Sequence, residues 1–88
     1  MLTKKQKEKL VEEYQIGKGD SGSADVQVAL LSKEIDQLLK HLKDHPKDNH
    51  SRRGLLKMII KRKKLLKYLE KNSKRRYNAI IKKVGLKK

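Results

Sequence analysis

At 88 residues, with 35% hydrophobic side chains and neither Phe nor Trp, the chain has room for one domain around one small core of Leu, Ile and Val. Cys is absent, which excludes a disulfide framework and a thiol nucleophile and fits a cytoplasmic protein. The formal net charge is +15, no stretch approaches the roughly 20 apolar residues of a membrane span, and the opening Met1-Leu2-Thr3-Lys4-Lys5-Gln6 lacks the apolar run of a signal peptide.

Four helices follow from the apolar spacing, at about residues 3–16, 24–44, 49–71 and 73–84. Thr3 and Gln6 have capping-box spacing, and Leu10, Val11 and Tyr14 then make one stripe. Three Gly within residues 17–22 mark a loop, which leaves open whether the first helix packs on the others or swings away. Ser23 is a good N-cap for the second helix, and Asp25 lies in its first turn, where a negative charge is favoured. Val28, Leu31, Ile35, Leu38 and Leu42 form a narrow seam that Leu39 would widen. Pro46 pushes its predecessor out of helical geometry and so stops the second helix. Asp48 or Asn49 can cap the third, a long helix whose apolar side reads Leu55, Met58, Ile59, Leu65, Leu66 and Leu69. Asn72 or Ser73 caps a short fourth helix with Tyr77, Ile80, Ile81 and Val84 on one face and Gly85 at its end. The expected fold is all-α, a four-helix antiparallel bundle with a long third and a short fourth helix, in one domain over residues 1–88.

Charge is distributed unevenly along this pattern. Residues 1–51 hold nine Lys against nine Asp and Glu, whereas residues 52–88 hold sixteen Lys and Arg against the single acid Glu70. Clustering of this kind points to a polyanion, because the repulsion costs stability until a partner neutralises it. On the third helix Lys57, Lys61, Lys64, Tyr68 and Lys71 follow at alternating steps of four and three, which lines them up on one stripe roughly opposite the Leu55–Ile59–Leu66 face. Lysines meet phosphates, and a ring set among them can stack on an exposed base or pack on a sugar of RNA. Alternatively Tyr68 covers the fourth helix, as half-buried tyrosines commonly do.

The turn between the second and third helices gathers His41, His45, Asp48, His50 and Ser51. His at i and i+4 can chelate zinc, but no thiolate accompanies them. An acid–base site is a weaker reading, since nothing resembles a substrate pocket. Donors and acceptors of these types also suit 2′-hydroxyls and base edges in a shallow RNA minor groove. Capping of the third helix is the bland alternative, and residue types alone leave the two equal. The glycine loop, with Asp20, Ser21, Gly22 and then Gln27, matches no nucleotide-binding motif, yet Gly allows close backbone approach to a phosphate. A DNA-binding module would need Arg or Asn facing base edges, and the basic stripe has neither. A membrane-surface helix lacks Trp or Phe anchors.

The run from His45 to Met58, His-Pro-Lys-Asp-Asn-His-Ser-Arg-Arg-Gly-Leu-Leu-Lys-Met, resembles the signature of bacterial small-subunit ribosomal protein number fifteen. So do Asp20 to Leu31, Arg62 to Leu69 and the segment from Arg76-Tyr77 through Gly85-Leu86-Lys87-Lys88, so that the resemblance spans nearly the whole chain. It implies a structural, non-enzymatic ribosomal protein without cofactors or metal, cytoplasmic within the ribosome and a monomer when free. Its partners would be small-subunit ribosomal RNA, neighbouring small-subunit proteins and, through an intersubunit bridge, large-subunit RNA. The family binds the central domain early in assembly, at a three-way junction and at a nearby minor-groove patch with a G-U pair. By resemblance the junction would be met by Ser21, Gly22, Gln27 and Tyr68 with Lys64 and Lys71 on the backbone, and the patch by His41, Asp48 and Ser51. Asp20, His45, Arg52, Arg53, Lys57 and Lys61 complete the candidate RNA-binding set. Ser21 stands where the family usually has Thr, Asp25 where it has Glu and Asn49 where His is common, and Pro46 is unusual in this turn. Lys64 and Lys71 occupy positions that are often Arg, and Lys supplies a point charge without the planar fork.

Overall fold

Side chains with short oxygen arms set each helix start. Thr3 Oγ1 accepts from the Gln6 N–H at 3.2 Å while Gln6 Oε1 accepts from the Thr3 N–H at 3.0 Å, closing a capping box on α1 (Lys4–Tyr14). Ser23 Oγ accepts from the Val26 N–H at 3.3 Å and opens α2 (Ala24–Asp44). Asp48, rather than Asn49, caps α3 (Asn49–Asn72). Ser73 serves two helices: its N–H donates to Leu69 O at 2.7 Å at the end of α3, and its Oγ accepts from Arg76 N at the start of α4 (Lys74–Val84). Gly85 closes α4 at φ 74°, a left-handed geometry that costs Gly nothing. This computed structural model describes residues 2–17 and 22–85, and among them there is no strand and no helix long and apolar enough to cross a membrane.

The architecture is an all-α four-helix bundle in which α2 is enclosed by the other three helices, whereas α3 meets only α2 and α4. That difference explains which apolar residues are buried. Ala24, Val28, Leu69, Ile80 and Ile81 form the core cluster, with Tyr14, Leu65, Leu66, Tyr77 and Val84 packed around it. On α2 burial extends beyond the predicted seam to Val26, Ala29 and Ser32, because helices cover several of its sides. On α3 only the stripe facing α2 and α4 turns inward, and Leu69 alone is fully buried. Two expectations are corrected here. Leu39 does not widen the seam but is 50% exposed, and Ile59 lies outside the core at 38% exposure. Leu56 and Ile60 are exposed as well, so the apolar side of α3 is narrower than its composition suggests.

Polar contacts tie the helices across the core. The buried carboxylate of Asp25 pairs with Arg76, joining the first turns of α2 and α4. Arg62 Nη1 donates to the buried Ser32 Oγ at 3.2 Å between α3 and α2. The first helix packs on α2, and Lys83 Nζ of α4 stands 5.4 Å from the centre of the Tyr14 ring, within cation–π range. Burial, followed by the neighbouring Glu13 carboxylate, raises the Tyr14 pKa, which keeps the phenol neutral against the core.

Leu69→Ala is expected to cost about 2–5 kcal/mol in urea unfolding, as loss of a fully buried leucine does. Leu56→Ala, about three and a half turns away on an exposed face, is expected to stay within about 0.5 kcal/mol. Comparable losses from the two would contradict this assignment of the core.

Candidate nucleic-acid interface

The antiparallel course of α2 and α3 places the start of α2 beside the last turns of α3, and the end of α2 beside the first turn of α3. Two polar sites result, one at each end. The first is a shallow groove lined by Gly22, Ser23, Ala24 and Gln27 at the start of α2, Leu65 and Tyr68 on α3, and Arg76 on α4. Gln27 Nε2 donates to Gly22 O at 2.8 Å, so the loop end and the first turn of α2 hold one another in place. Tyr68 is 57% exposed, which argues against a role as a lid over α4 and leaves its ring at the surface of the groove. Its carbonyl accepts from Asn72 Nδ2 at 2.7 Å. Asp20 and Ser21, also assigned to this end by the sequence, lie outside the described residues.

At the second site three side chains meet around one carboxylate. Asp48 Oδ2 accepts from Ser51 Oγ at 2.7 Å and from His41 Nε2 at 2.8 Å, while Oδ1 accepts from the Ser51 N–H at 3.1 Å. An ionised carboxylate only accepts, so His41 carries a proton on Nε2. The Ser51 hydroxyl, then His41 and the Ser51 amide, hold the Asp48 pKa well below the usual carboxylate range. One shallow hollow beside this cluster is lined by Gln37, Leu38, His41 and Ser51, and another by His41, His45, Pro46, Lys47 and Asp48. The His45 ring lies against that of His41 with centres 4.8 Å apart.

The same three residue types occur in hydrolytic triads, but the connections differ. In a triad the imidazole takes a proton from Ser and the carboxylate orients the imidazole. Here Asp48 sits in the middle and accepts from both neighbours, so Ser51 is bonded to a very weak base rather than to imidazole. That arrangement does not activate a nucleophile; it fixes a rigid set of polar atoms at a turn. Among the described residues no three His, Cys, Asp or Glu side chains converge in a way that holds a metal ion.

Between the two sites runs the stripe of α3. Lys57, Lys61, Lys64 and Lys71 are exposed along with Tyr68, and Arg52 and Arg53 are exposed at the first turn. At about 100° per residue the stripe spans from about 80° to about 160° away from the buried Leu69, running from the side where Tyr68 lines the groove toward the far side of α3. The structure thus brings Gly22, Gln27 and Tyr68 together at one end, and His41, His45, Asp48 and Ser51 at the other, with Lys57, Lys61 and Lys64 between them along α3 and Lys71 beyond the groove. Residue spacing missed two members: Gln37, which faces the turn, and Arg76, whose partner Asp25 is 51 residues away.

Comparison with known proteins gives the family of the chain. The family model for ribosomal protein S15 matches residues 7–87. The chain belongs to the ribosomal protein S15 family. It is 52% identical over 87 residues to the small ribosomal subunit protein uS15 of Crocosphaera subtropica, covering 99% of this chain and 98% of that protein. It is 51% identical to the small ribosomal subunit protein uS15 of Carboxydothermus hydrogenoformans and 52% identical to that of Natranaerobius thermophilus, over the same shares.

The Asp48 carboxyl carbon, followed by NMR, is expected to titrate below the ordinary aspartate value of about 3.9. Its ionised form is favoured by folding, so its contribution to stability is complete above the ordinary range and is lost as pH falls through the lowered midpoint. Ser51→Ala is expected to raise that midpoint more than His41→Ala does, because Ser51 supplies the larger share. An ordinary midpoint in the unsubstituted protein would contradict the hydrogen-bonded cluster.

Proposed function

We propose that this protein is a structural constituent of the small ribosomal subunit that binds the central domain of its ribosomal RNA and is not an enzyme. The observation that carries the reading is a polar site at each end of the α2–α3 pair, with exposed Lys57, Lys61 and Lys64 on the stretch of α3 that joins them. The end with Gly22, Gln27 and Tyr68 suits a three-way junction, where strands leave the helical stack and bases become available to an aromatic ring. The end with His41, Asp48 and Ser51 suits a minor groove, which displays 2′-hydroxyls and base edges that such groups can address. Lys57, Lys61, Lys64 and Lys71, with Arg52 and Arg53, supply the electrostatic component, which draws RNA in without reading its sequence.

On this reading the work is architectural. The protein holds helical arms in the arrangement that it binds best, and that arrangement gains population in proportion to the difference in affinity. Nucleation of assembly follows, since RNA fixed early presents an ordered surface to neighbouring proteins. Contribution to a bridge with large-subunit RNA, a monomeric free state and a cytoplasmic, ribosome-bound location complete the reading. It is supported by the family membership and by relatives named as small-subunit proteins.

Filter binding to a minimal ribosomal junction, with a junction-deleted RNA as control, tests this. If roughly six phosphates are neutralised, log affinity against log salt is expected to have a slope of about −5. Tyr68→Ala is expected to weaken binding by about 1–3 kcal/mol. Lys64→Ala is expected to reduce the slope by about one and to affect both RNAs alike. Equal affinity of the unsubstituted protein for the junction and its deletion would overturn the reading.

A further inference from the structure

The half of the chain that carries the excess positive charge contains one arginine whose charge is cancelled on the spot. Asp25, 7% exposed, accepts at Oδ1 from both Nε and Nη2 of Arg76, the Nε contact being 3.1 Å. Two adjacent guanidinium nitrogens on one carboxylate oxygen fix the plane of the group as well as its place. The pair spans from the first turn of α2 to the first turn of α4, and Arg76 lines the groove with Gly22, Gln27, Leu65 and Tyr68. Its side chain is 37% exposed, although α4 otherwise turns Ile80 and Ile81 into the core. A cation needed only for attraction would not be paired with a buried carboxylate, and one needed only for packing would not end in the groove.

We infer that Arg76 is a specificity-determining residue of the groove at the start of α2, aimed by Asp25 at an RNA strand that lies across Tyr68. The inference rests on the RNA-binding reading above and extends it, because it adds α4 to the interface. The lysines of the stripe are flexible point charges and accept a phosphate from many directions. Arg76 offers a planar group in a fixed orientation and almost no net charge. Its contribution therefore falls on discrimination between RNA shapes and not on the counterion release that sets the salt slope. Asp25 is a positioning residue, acting on the RNA through the guanidinium that it holds.

Arg76→Lys preserves the ion pair and the net charge but removes the planar fork. In binding to the junction and to an unbranched duplex over a range of salt, this variant is expected to lose about tenfold on the junction. Its duplex affinity and its salt slope should remain those of the unsubstituted protein. Asp25→Asn releases the cation, so it is expected to steepen the slope by about one while lowering the junction-to-duplex ratio. A readout independent of any substitution is the Arg76 Nε–H resonance, which is expected to move when junction RNA is added to the unsubstituted protein. Retention of full junction preference by Arg76→Lys, equal losses on both RNAs, or an unmoved resonance would overturn the inference and leave the function proposed above intact. Failure of the unsubstituted protein to prefer the junction would overturn both.

Discussion

Val28 of α2 and Leu69 of α3 are both fully buried in one cluster, and their packing fixes how the two long helices lie against each other. Every feature of the proposed interface depends on that alignment. Gln27 stands beside Tyr68 only because the start of α2 meets the end of α3, and His41 reaches Asp48 only because the chain reverses sharply at Pro46. The two polar sites are therefore the ends of one rigid element. Along α2 the distance from residue 27 to residue 41 is about 21 Å at 1.5 Å per residue. The surface thus has a built-in length as well as a charge.

Much of this was legible in the sequence, for identifiable reasons. Helix starts were readable because Thr3, Ser23 and Asp48 place an oxygen where the first turn needs an acceptor, which is a local property. The cationic stripe was readable because periodicity alone puts four lysines and Tyr68 on one side of α3. Periodicity could not say how wide a buried face is, since that depends on how many helices surround an element. For that reason Leu39 and Ile59, apolar and suitably spaced, stand outside the core, while Ser32 and Asp25 lie within it. The partnership of Asp25 with Arg76 carries no local trace either. Each looks like an ordinary helix-terminal charge until α4 folds back on α2. At the turn the residue types were compatible with metal binding, acid–base chemistry and recognition alike. The hydrogen bonds show Asp48 capping α3 and accepting from both His41 and Ser51, an arrangement that leaves no nucleophile activated.

In the proposed interface, attraction and recognition fall on different residues. Repulsion among the exposed lysines works against the free fold, and an RNA bound along them would relieve it, so that binding and stability would reinforce each other. The groups proposed for recognition are instead held in place within the protein: Gln27 by the Gly22 carbonyl, Ser51 and His41 by Asp48, and Arg76 by Asp25. Prior fixation lowers the ordering cost on association, and it makes the surface selective for shape. A small aliphatic core suffices for such a design, because a bound partner would add to the stability of the folded state.

The central claim is that two polar sites at a fixed separation engage one RNA at the same time. It is tested most directly by affinity for RNAs in which half a helical turn of base pairs is inserted between the junction and the minor-groove patch. Each feature remains intact in such an RNA, but the two face different sides of the helix. A rigid two-site surface requires binding to fall to the level of an RNA that carries the junction alone. Unchanged affinity would mean that the sites do not act together, and would contradict the account.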